Sequence, residues 1–508
     1  MKKFLSALFI FVFLFTVVSC GEMPGGNPNQ PGGKDDKIVV TFWHAMGQEN
    51  QVIIESMIES FEEKYPEVDV QQANQGGYPD LLGKIKDNIK AGAGPVLAQT
   101  YPDHVTSYLS AKDAVVDLNK YAWDDELGFE TYGIDPDLYI ESFWAENTVY
   151  DTEGSMYSLP FNKSTEIVFY NQDIFARYNW FVDLLGYKAE DVYSDVANKV
   201  FKDEFIWQPT WQELVKIGEA YKGTAEYAAN IKNKISTAAF SYDSEANLFI
   251  TLTQQLAALD ANDTYGEKGE FAYTKSTGSS LGEFTFLNEN NPYAREAVSF
   301  YKEYYDKGYF ATASTLGAKY SSDAFKDGAC VVTIGSSAGA KHNNPGSEGF
   351  QVGVGTYPQW EGTSADEYQV IQQGTNLTLF TQLDKEVEKY GWLFILHVID
   401  FQQAYDWCTG TSYFPIRTDV YESQDYQDFV SGKIEVNGET KYMPTLGAKA
   451  AKVGWMQRDW FYTNATFAGS DISREEVGSL VAAVLLNESS LDKAFADCKD
   501  HLKNYIIK

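Results

Sequence analysis

From Ile38 to Ala98 the apolar period switches repeatedly, and that alternation limits the folds open to the chain. Ile38-Val39-Val40-Thr41-Phe42 is a β-branched run of the buried-strand type, followed by a loop at Trp43-His44-Ala45-Met46. From Gln51 to Tyr65 the spacing becomes helical, with Ile54, Met57, Ile58 and Phe61 on one face. Tyr65-Pro66 ends that helix, because a residue before proline is pushed out of the helical region. Val68-Asp69-Val70 opens a second strand. Tyr78 to Ala91 is a second helix with Leu81, Leu82, Ile85 and Ile89 inward. Gly92-Ala93-Gly94-Pro95 breaks it, and Val96-Leu97-Ala98 is a third strand. Strands that alternate with helices predict a parallel sheet with crossover helices.

A second stretch, Tyr157 to Phe175, joins a polar segment to an apolar one. Pro160 lacks a backbone donor and fixes one dihedral, so the chain is expected to bend there. Asn162, Ser164 and Thr165 offer short hydrogen-bonding side chains, Ile167 to Tyr170 reads as a buried strand, and Asn171-Gln172-Asp173 starts a helix.

At 508 residues and 44% apolar content the chain can fill two or more cores. The formal net charge of −32 argues against nucleic acid or an anionic membrane as a partner through bulk charge, though a few basic groups can still hold a small anion. Aromatic residues make up 15%, which suits either dense packing or stacking on a carbohydrate. Cys20, Cys330, Cys408 and Cys498 form no CxxC and the five histidines are scattered, so neither a metal nor another cofactor is expected.

Lys2 and Lys3 precede an apolar run from Phe4 to Val18, too short for a membrane span and typical of a signal peptide. Val17-Val18-Ser19-Cys20 looks like a bacterial lipobox with Cys20 as the lipidated residue, and Gly21 to Lys37 reads as a flexible tether.

In the second half, Pro209-Thr210-Trp211-Gln212-Glu213-Leu214 carries a capping box that opens a helix. Arg295 to Lys307 is a helix with Ala297, Phe300, Tyr301 and Tyr304 on one face, ended by Gly308. Ala324 to Ile334 is a helix end, a turn and a strand, leading into Gly335-Ser336-Ser337-Ala338-Gly339. Val352 to Phe380 reads as a return to the first half, Glu386 to Trp407 as a helical stretch of the second half, and Arg474 to Leu486 as a closing helix. Residues 183–207 and 223–236 read as insertions.

Taken in order, Phe42-Trp43-His44, Phe61…Tyr65-Pro66…Val68…Val70, Gly94-Pro95-Val96-Leu97, the 157–175 stretch, Thr210-Trp211, Phe325…Gly328…Val331-Val332 and Tyr413-Phe414-Pro415-Ile416 resemble the extracellular solute-binding proteins of ABC importers. The likeness extends to the members that take sugars and glycerol phosphates. It implies an α/β, two-lobed periplasmic-binding-protein-like fold of type II, with parallel-rich sheets flanked by helices and a ligand cleft between lobes. The implied organisation is a signal peptide at 1–19 and a tether at 20–37. Lobe 1 would comprise 38–160 and 340–380, lobe 2 166–335 and 384–508, and the crossings 161–165, 336–339 and 381–383. The implied protein is a lipid-anchored monomer of the cell envelope, without catalysis, that hands a small ligand to a permease.

Carried over residue by residue, the resemblance implies ligand contacts at Tyr78, Asp103, Ser164, Ser336 or Ser337, Gly374, Tyr413 and Arg474, with Trp211 beside the ligand. Arg474 would grip a phosphate or carboxylate bidentately, and the tyrosines and Trp211 would stack on a polyol. Trp211 reads equally as a packing anchor, Arg474 as a surface ion pair with Glu475 or Glu476, and Trp43 as first-lobe packing rather than a cleft residue. Lys163 stands where the glycerol-phosphate-like motif has a small residue, and would either add a phosphate contact or block that ligand. Three other readings remain, of which a secreted glycosidase would need a pair of carboxylates that the 72 acidic residues do not single out. Gly335-Ser336-Ser337-Ala338-Gly339 fits a G-x-S-x-G nucleophile elbow with Ser337 as nucleophile of a secreted hydrolase. A non-transport surface binding protein would use the same scaffold.

Overall fold

A computed structural model describes residues 37–260, 264–277, 281–436 and 439–505. The expected signal peptide, Cys20 and the expected tether up to residue 36 lie outside the described residues.

Ten strands share the principal sheet. They are β1 (Ile38–His44), β2 (Val68–Asn74), β3 (Leu97–Thr100), β4 (Leu159–Asn171), β5 (Phe240–Tyr242), β6 (Phe310–Thr312), β7 (Val332–Ser336), β8 (Val352–Gly355), β9 (Val370–Leu379) and β10 (Phe461–Tyr462). The order across the sheet is β6-β5-β7-β4-β9-β3-β1-β2, with β8 also on β4 and β10 on β9. β1 runs parallel to β2 and β3, and β5 runs parallel to β6 and β7, as the strand–helix alternation requires. The connecting helices Gln48–Lys64 and Tyr78–Lys90 lie where the periodicity puts them. The first buries the expected four residues, Ile54, Met57, Ile58 and Phe61.

The two halves meet on β4 and β9, which run antiparallel. β4 is buried along its whole length. Its first half, Leu159 to Thr165, pairs with β9; its second half, Glu166 to Asn171, pairs with β7 and β8. In the second half the faces alternate. Val168 and Tyr170 enter one apolar cluster, Ile167 and Phe169 the cluster on the opposite side.

The expected bend at Pro160 is absent, since the strand runs straight through it. The missing donor is absorbed by a bulge: the β4–β9 register slips between Thr375 and Asn376, so that Asn376 faces Pro160 while Thr375 faces Asn162.

Two large cores result, and their membership departs from the lobe boundaries expected above. Helices Lys385–Val398 and Phe401–Gly410 bury Trp392, Phe394, Ile395 and Trp407 against Phe42, Phe61 and Phe161, in the first core and not the second. The stretch from Ser337 to Ile371 stays with the second: Ala340 and Val354 pack on Ile167, and Tyr357, Val370 and Ile371 join the core of Trp211 and Phe240. Thus the chain does not cross at 336–339 or 381–383. It crosses along β4, returns along β9 at Ile371-Gln372, and goes back after helix Gln424–Ser431, before helix Leu446–Met456. The physical reason is β9 itself. Only ten residues long, it pairs with β10 at one end and with β4 and β3 along the rest, so whatever follows it must pack on the first core.

The segment 183–207 is part of the second core, with Val192, Tyr193 and Trp207 buried and a small hairpin of Tyr193–Asp195 against Val200–Phe201. Cys330, Cys408 and Cys498 are buried free thiols. Among the described residues no helix is long and apolar enough to cross a membrane.

Candidate functional site

A cavity of about 1230 Å³ lies between the two cores. Its wall is made largely where parallel strands end. Gly47–Asn50 follow β1, Tyr78 follows β2, Tyr101–His104 follow β3, Asp243, Ser244 and Asn247 follow β5, and Ser336 ends β7 with Ala338, Gly339 and Lys341–Asn343 beyond it. The carboxyl ends of parallel strands in both halves therefore face one space, the usual place for a ligand in open α/β sheets. Gln372, Gln373 and Gly374 of β9 and Ser164 of β4 contribute from the crossing strands.

Of the residues singled out in the sequence, Tyr78, Asp103, Ser164, Ser336, Gly374, Tyr413 and Arg474 are on this wall. Tyr78 packs edge-on against Tyr101 at 4.8 Å between centroids, and Tyr413 stacks on Trp407 at 5.6 Å. The Asn162 amide, on β4 just behind them, receives Gln99 Nε2 at 2.9 Å and reaches the Tyr78 hydroxyl at 3.5 Å. Ser336 Oγ donates to Ser164 Oγ at 3.1 Å, tying the end of β7 to the crossing strand. Gly374 has φ +100°, and a Cβ there would meet the Asn162 carbonyl oxygen at 2.0 Å, so only glycine lets β9 pass β4 at this point.

Arg474 is held by a relay from the centre of β4. Its Nη2 donates to Asn247 Oδ1. Asn247 Nδ2 donates to Glu166 Oε1 at 2.7 Å, and Gln373 Nε2 reaches the same oxygen at 3.3 Å. The Tyr242 hydroxyl donates to the other Glu166 oxygen. Burial pushes the Glu166 carboxyl up to about 7, against the pull of the Tyr242 and Asn247 hydrogen bonds. The arginine ion pairs among the described residues involve Arg177, Arg295, Arg417 and Arg458, not Arg474. Its guanidinium is thus positioned by an amide and left without a carboxylate partner.

The remaining expected residues are elsewhere. Trp211 is fully buried, with Nε1 donating to Gln255 Oε1 at 2.9 Å, and is a packing anchor. Trp43 packs with Leu82 and Tyr157 in the cluster of Leu81, Ile85 and Ala98 and is not on the wall. Lys163 is fully buried and paired with Glu146, so it neither reaches the cavity nor obstructs it; the paired Glu146 does reach the wall. Ser337 is buried, and its Oγ accepts from the Thr165 amide at 3.2 Å. Among the described residues no histidine hydrogen-bonds that hydroxyl, so no Ser–His pair is formed there. No group of side chains among the described residues is suited to hold a metal ion.

The sequence reading missed Tyr101, His104, Asp243, Asn247, Gln373, Tyr462 and Asp471, all on the wall. A usable signal existed for several: Tyr101 and His104 follow closely on β3, which runs parallel to β1, and Asp243 follows β5, which runs parallel to β6 and β7. The pKa values of His104 and His342 are both lowered, chiefly by burial.

Residues 56–431 match the family model described as bacterial extracellular solute-binding protein. The chain is 23% identical over 395 residues to the sn-glycerol-3-phosphate-binding periplasmic protein UgpB of Salmonella typhimurium, covering 77% of each chain. It is likewise 23% identical over 409 residues to UgpB of Escherichia coli K12, covering 80% of each. Among solved structures, UgpB from Mycobacterium tuberculosis in complex with glycerophosphocholine superposes with a TM-score of 0.63 at 16% identity, covering 92% of this chain and 98% of that one. The maltose/maltodextrin-binding domain MalE from Bdellovibrio bacteriovorus bound to maltotriose gives 0.61 at 12% identity, covering 92% and 99%.

Proposed function

We propose, from the premise that this chain belongs to the bacterial extracellular solute-binding protein family, that it is the substrate-binding component of an ABC importer. It captures a sugar or glycerol-phosphate-type ligand between its lobes and delivers it to a permease. The observation that carries this reading is the large cavity onto which strand ends from both cores converge. Tyr78, Tyr101 and Tyr413 offer ring faces and edges, and Ser164, Ser336, Gln373 and Arg474 offer polar groups, which is the surface a polyol needs. The relatives are binding proteins, and we extend their lack of catalysis to this chain. The lipid anchor at Cys20, a position outside the cytoplasmic membrane and a monomeric state belong to the same reading.

Capture shifts a population. Ligand touching both walls binds the closed form better, and only that difference drives closure. Residues 165–166 of β4 and 371–372 of β9 are where the strands change partners and where the lobes would pivot. The test is thermal denaturation of the chain from Lys37 onward with a panel of sugars and glycerol phosphate esters. A ligand at about 100 times its Kd adds roughly 2.7 kcal/mol to the folded state. The expected outcome is a raised Tm with members of one class, abolished in Tyr413→Ala. A flat response across the panel would remove the reading.

A further inference from the structure

The cavity wall has a one-sided hydrogen-bonding character. Among the described residues, its buried side-chain polar atoms left without a partner are Asp103 Oδ1, Asn343 Oδ1, Gln372 Oε1, Asn464 Oδ1 and Asp471 Oδ1. Every one is an acceptor oxygen. The orientation of two of these amides is set by their other end: Gln372 Nε2 donates to the Ser142 carbonyl at 3.2 Å, and Asn343 Nδ2 to the Gly339 carbonyl at 3.3 Å. Asn343, Gln372 and Asp471 are each more than nine-tenths buried. A buried acceptor without a donor costs about 1–3 kcal/mol, and a ligand that brings donors recovers that cost on binding.

Charge points the same way. Asp103, Asp243, Asp471 and Glu475 line the wall without a basic partner within 4 Å, while Glu49 is paired with Lys341, Glu146 with Lys163 and Asp323 with Lys326. Among the described residues Arg474 is the basic side chain on the wall, other than the paired Lys341, that opposes them. Asp103 and Asp471 also occupy the first turns of helices Pro102–Leu109 and Ser470–Leu485. These helix ends are otherwise suited to receive a phosphate, and here the chain's own carboxylates take that place. The two acids come from opposite cores. Ser107 Oγ, on the helix of Asp103, donates to Asp471 Oδ2 at 2.9 Å, which joins the two helices at the seam. Asp471 Oδ1 is left without a partner.

We infer that this site takes a neutral, polyhydroxylated ligand of oligosaccharide size, and that Asp103 and Asp471 select it by accepting hydroxyl hydrogens from the two sides of the seam. The inference rests on the solute-binding reading and narrows it. A phosphate oxygen placed against either acid would be a second acceptor facing the first, repelled and unsatisfied. A sugar hydroxyl there donates a charge-assisted hydrogen bond. The cavity volume exceeds the roughly 300–1,000 Å³ usual for small-ligand pockets, which favours several sugar rings over a glycerol ester.

The test is titration calorimetry on the full chain. Neutral di- to pentasaccharides of the gluco, manno and galacto series are compared with glycerol-3-phosphate and glycerophosphocholine. The expected result is binding by at least one saccharide and by neither ester. Asp103→Asn and Asp471→Asn should each weaken that binding about tenfold or more, with the Tm of the unliganded variants within about 3 °C of the parent, since each asparagine is isosteric and at 471 keeps an oxygen for the Ser107 hydroxyl. Either asparagine variant binding as tightly as the parent would overturn the role of the pair. An ester binding more tightly than every saccharide would overturn the inference and leave the solute-binding reading standing. Binding by neither class would count against both.

Discussion

Glu166 shows how much one side chain on a crossing strand can control. It is buried on β4, accepts from Tyr242, Asn247 and Gln373, and feels Asp243 and Arg474 nearby. Its folded pKa of about 7 is above the unfolded value near 4.5. Between those limits the folded chain holds a proton the unfolded chain has lost, so this group's contribution to stability is greatest below pH 4.5 and falls as pH rises towards 7. Glu166→Gln should flatten the slope of stability against pH in that window by about 3 kcal/mol in all, at roughly 1.4 kcal/mol per unit. Denaturant melts of parent and variant at pH 5 and pH 8 would measure it. Glu388 behaves oppositely. Burial would raise it, but Lys120, Lys385, the Gln382 amide and Tyr121 outweigh that and hold it at about 2. Its stabilisation is full above pH 4.5 and is lost as pH falls towards 2, and a Glu388→Gln variant should lose less stability over that acid range than the parent. Gly374→Ala should fail on sterics: the added methyl meets the Asn162 carbonyl, and both the melting temperature and ligand affinity are expected to drop. None of these three roles was visible in the sequence, because burial and cross-strand register come from residues distant in the chain.

At the level of elements the sequence was far more informative. Thr210 caps helix Trp211–Tyr221, its Oγ1 accepting from the Glu213 amide at 3.1 Å while the Glu213 carboxylate accepts from the Thr210 amide at 3.1 Å, as the Thr-x-x-Glu spacing implies. Thr210→Ala should cost about 1 kcal/mol by denaturant melt. Gly308, with φ +71°, follows helix Tyr293–Asp306 where the pattern ends. Local rules decide such features, so the sequence displays them. Pro160 is the counter-example. Locally it forecasts a bend, yet pairing of Leu159 and Asn162 with β9 on either side keeps the strand straight and moves the irregularity into a bulge.

Across the whole molecule, closure is the property to measure. Lys341, beyond the end of β7, pairs with Glu49 at the start of helix Gln48–Lys64, and Thr106 Oγ1 donates to the Phe467 carbonyl at 3.1 Å, so both sides of the cavity are bridged between cores. Addition of ligand should contract the radius of gyration in solution scattering. Lys341→Met should loosen the unliganded closed form and weaken ligand affinity by a few-fold, in keeping with the ~0–1 kcal/mol of an exposed ion pair.

By itself the sequence determined the strand–helix alternation, the helix caps and stops, the family, and a minority of the residues that line the cavity, among them Tyr78, Tyr413 and Arg474. Those features depend on local propensity and on short motifs that keep their order along the chain. The tertiary structure decided the rest. It assigned Lys385–Gly410 to the first core, withdrew Lys163, Trp211 and Ser337 from the site, and faced Asp103 with Asp471 across the seam. These outcomes depend on which surfaces β4 and β9 leave open for packing, and that follows from strand register and volume between residues far apart in the chain.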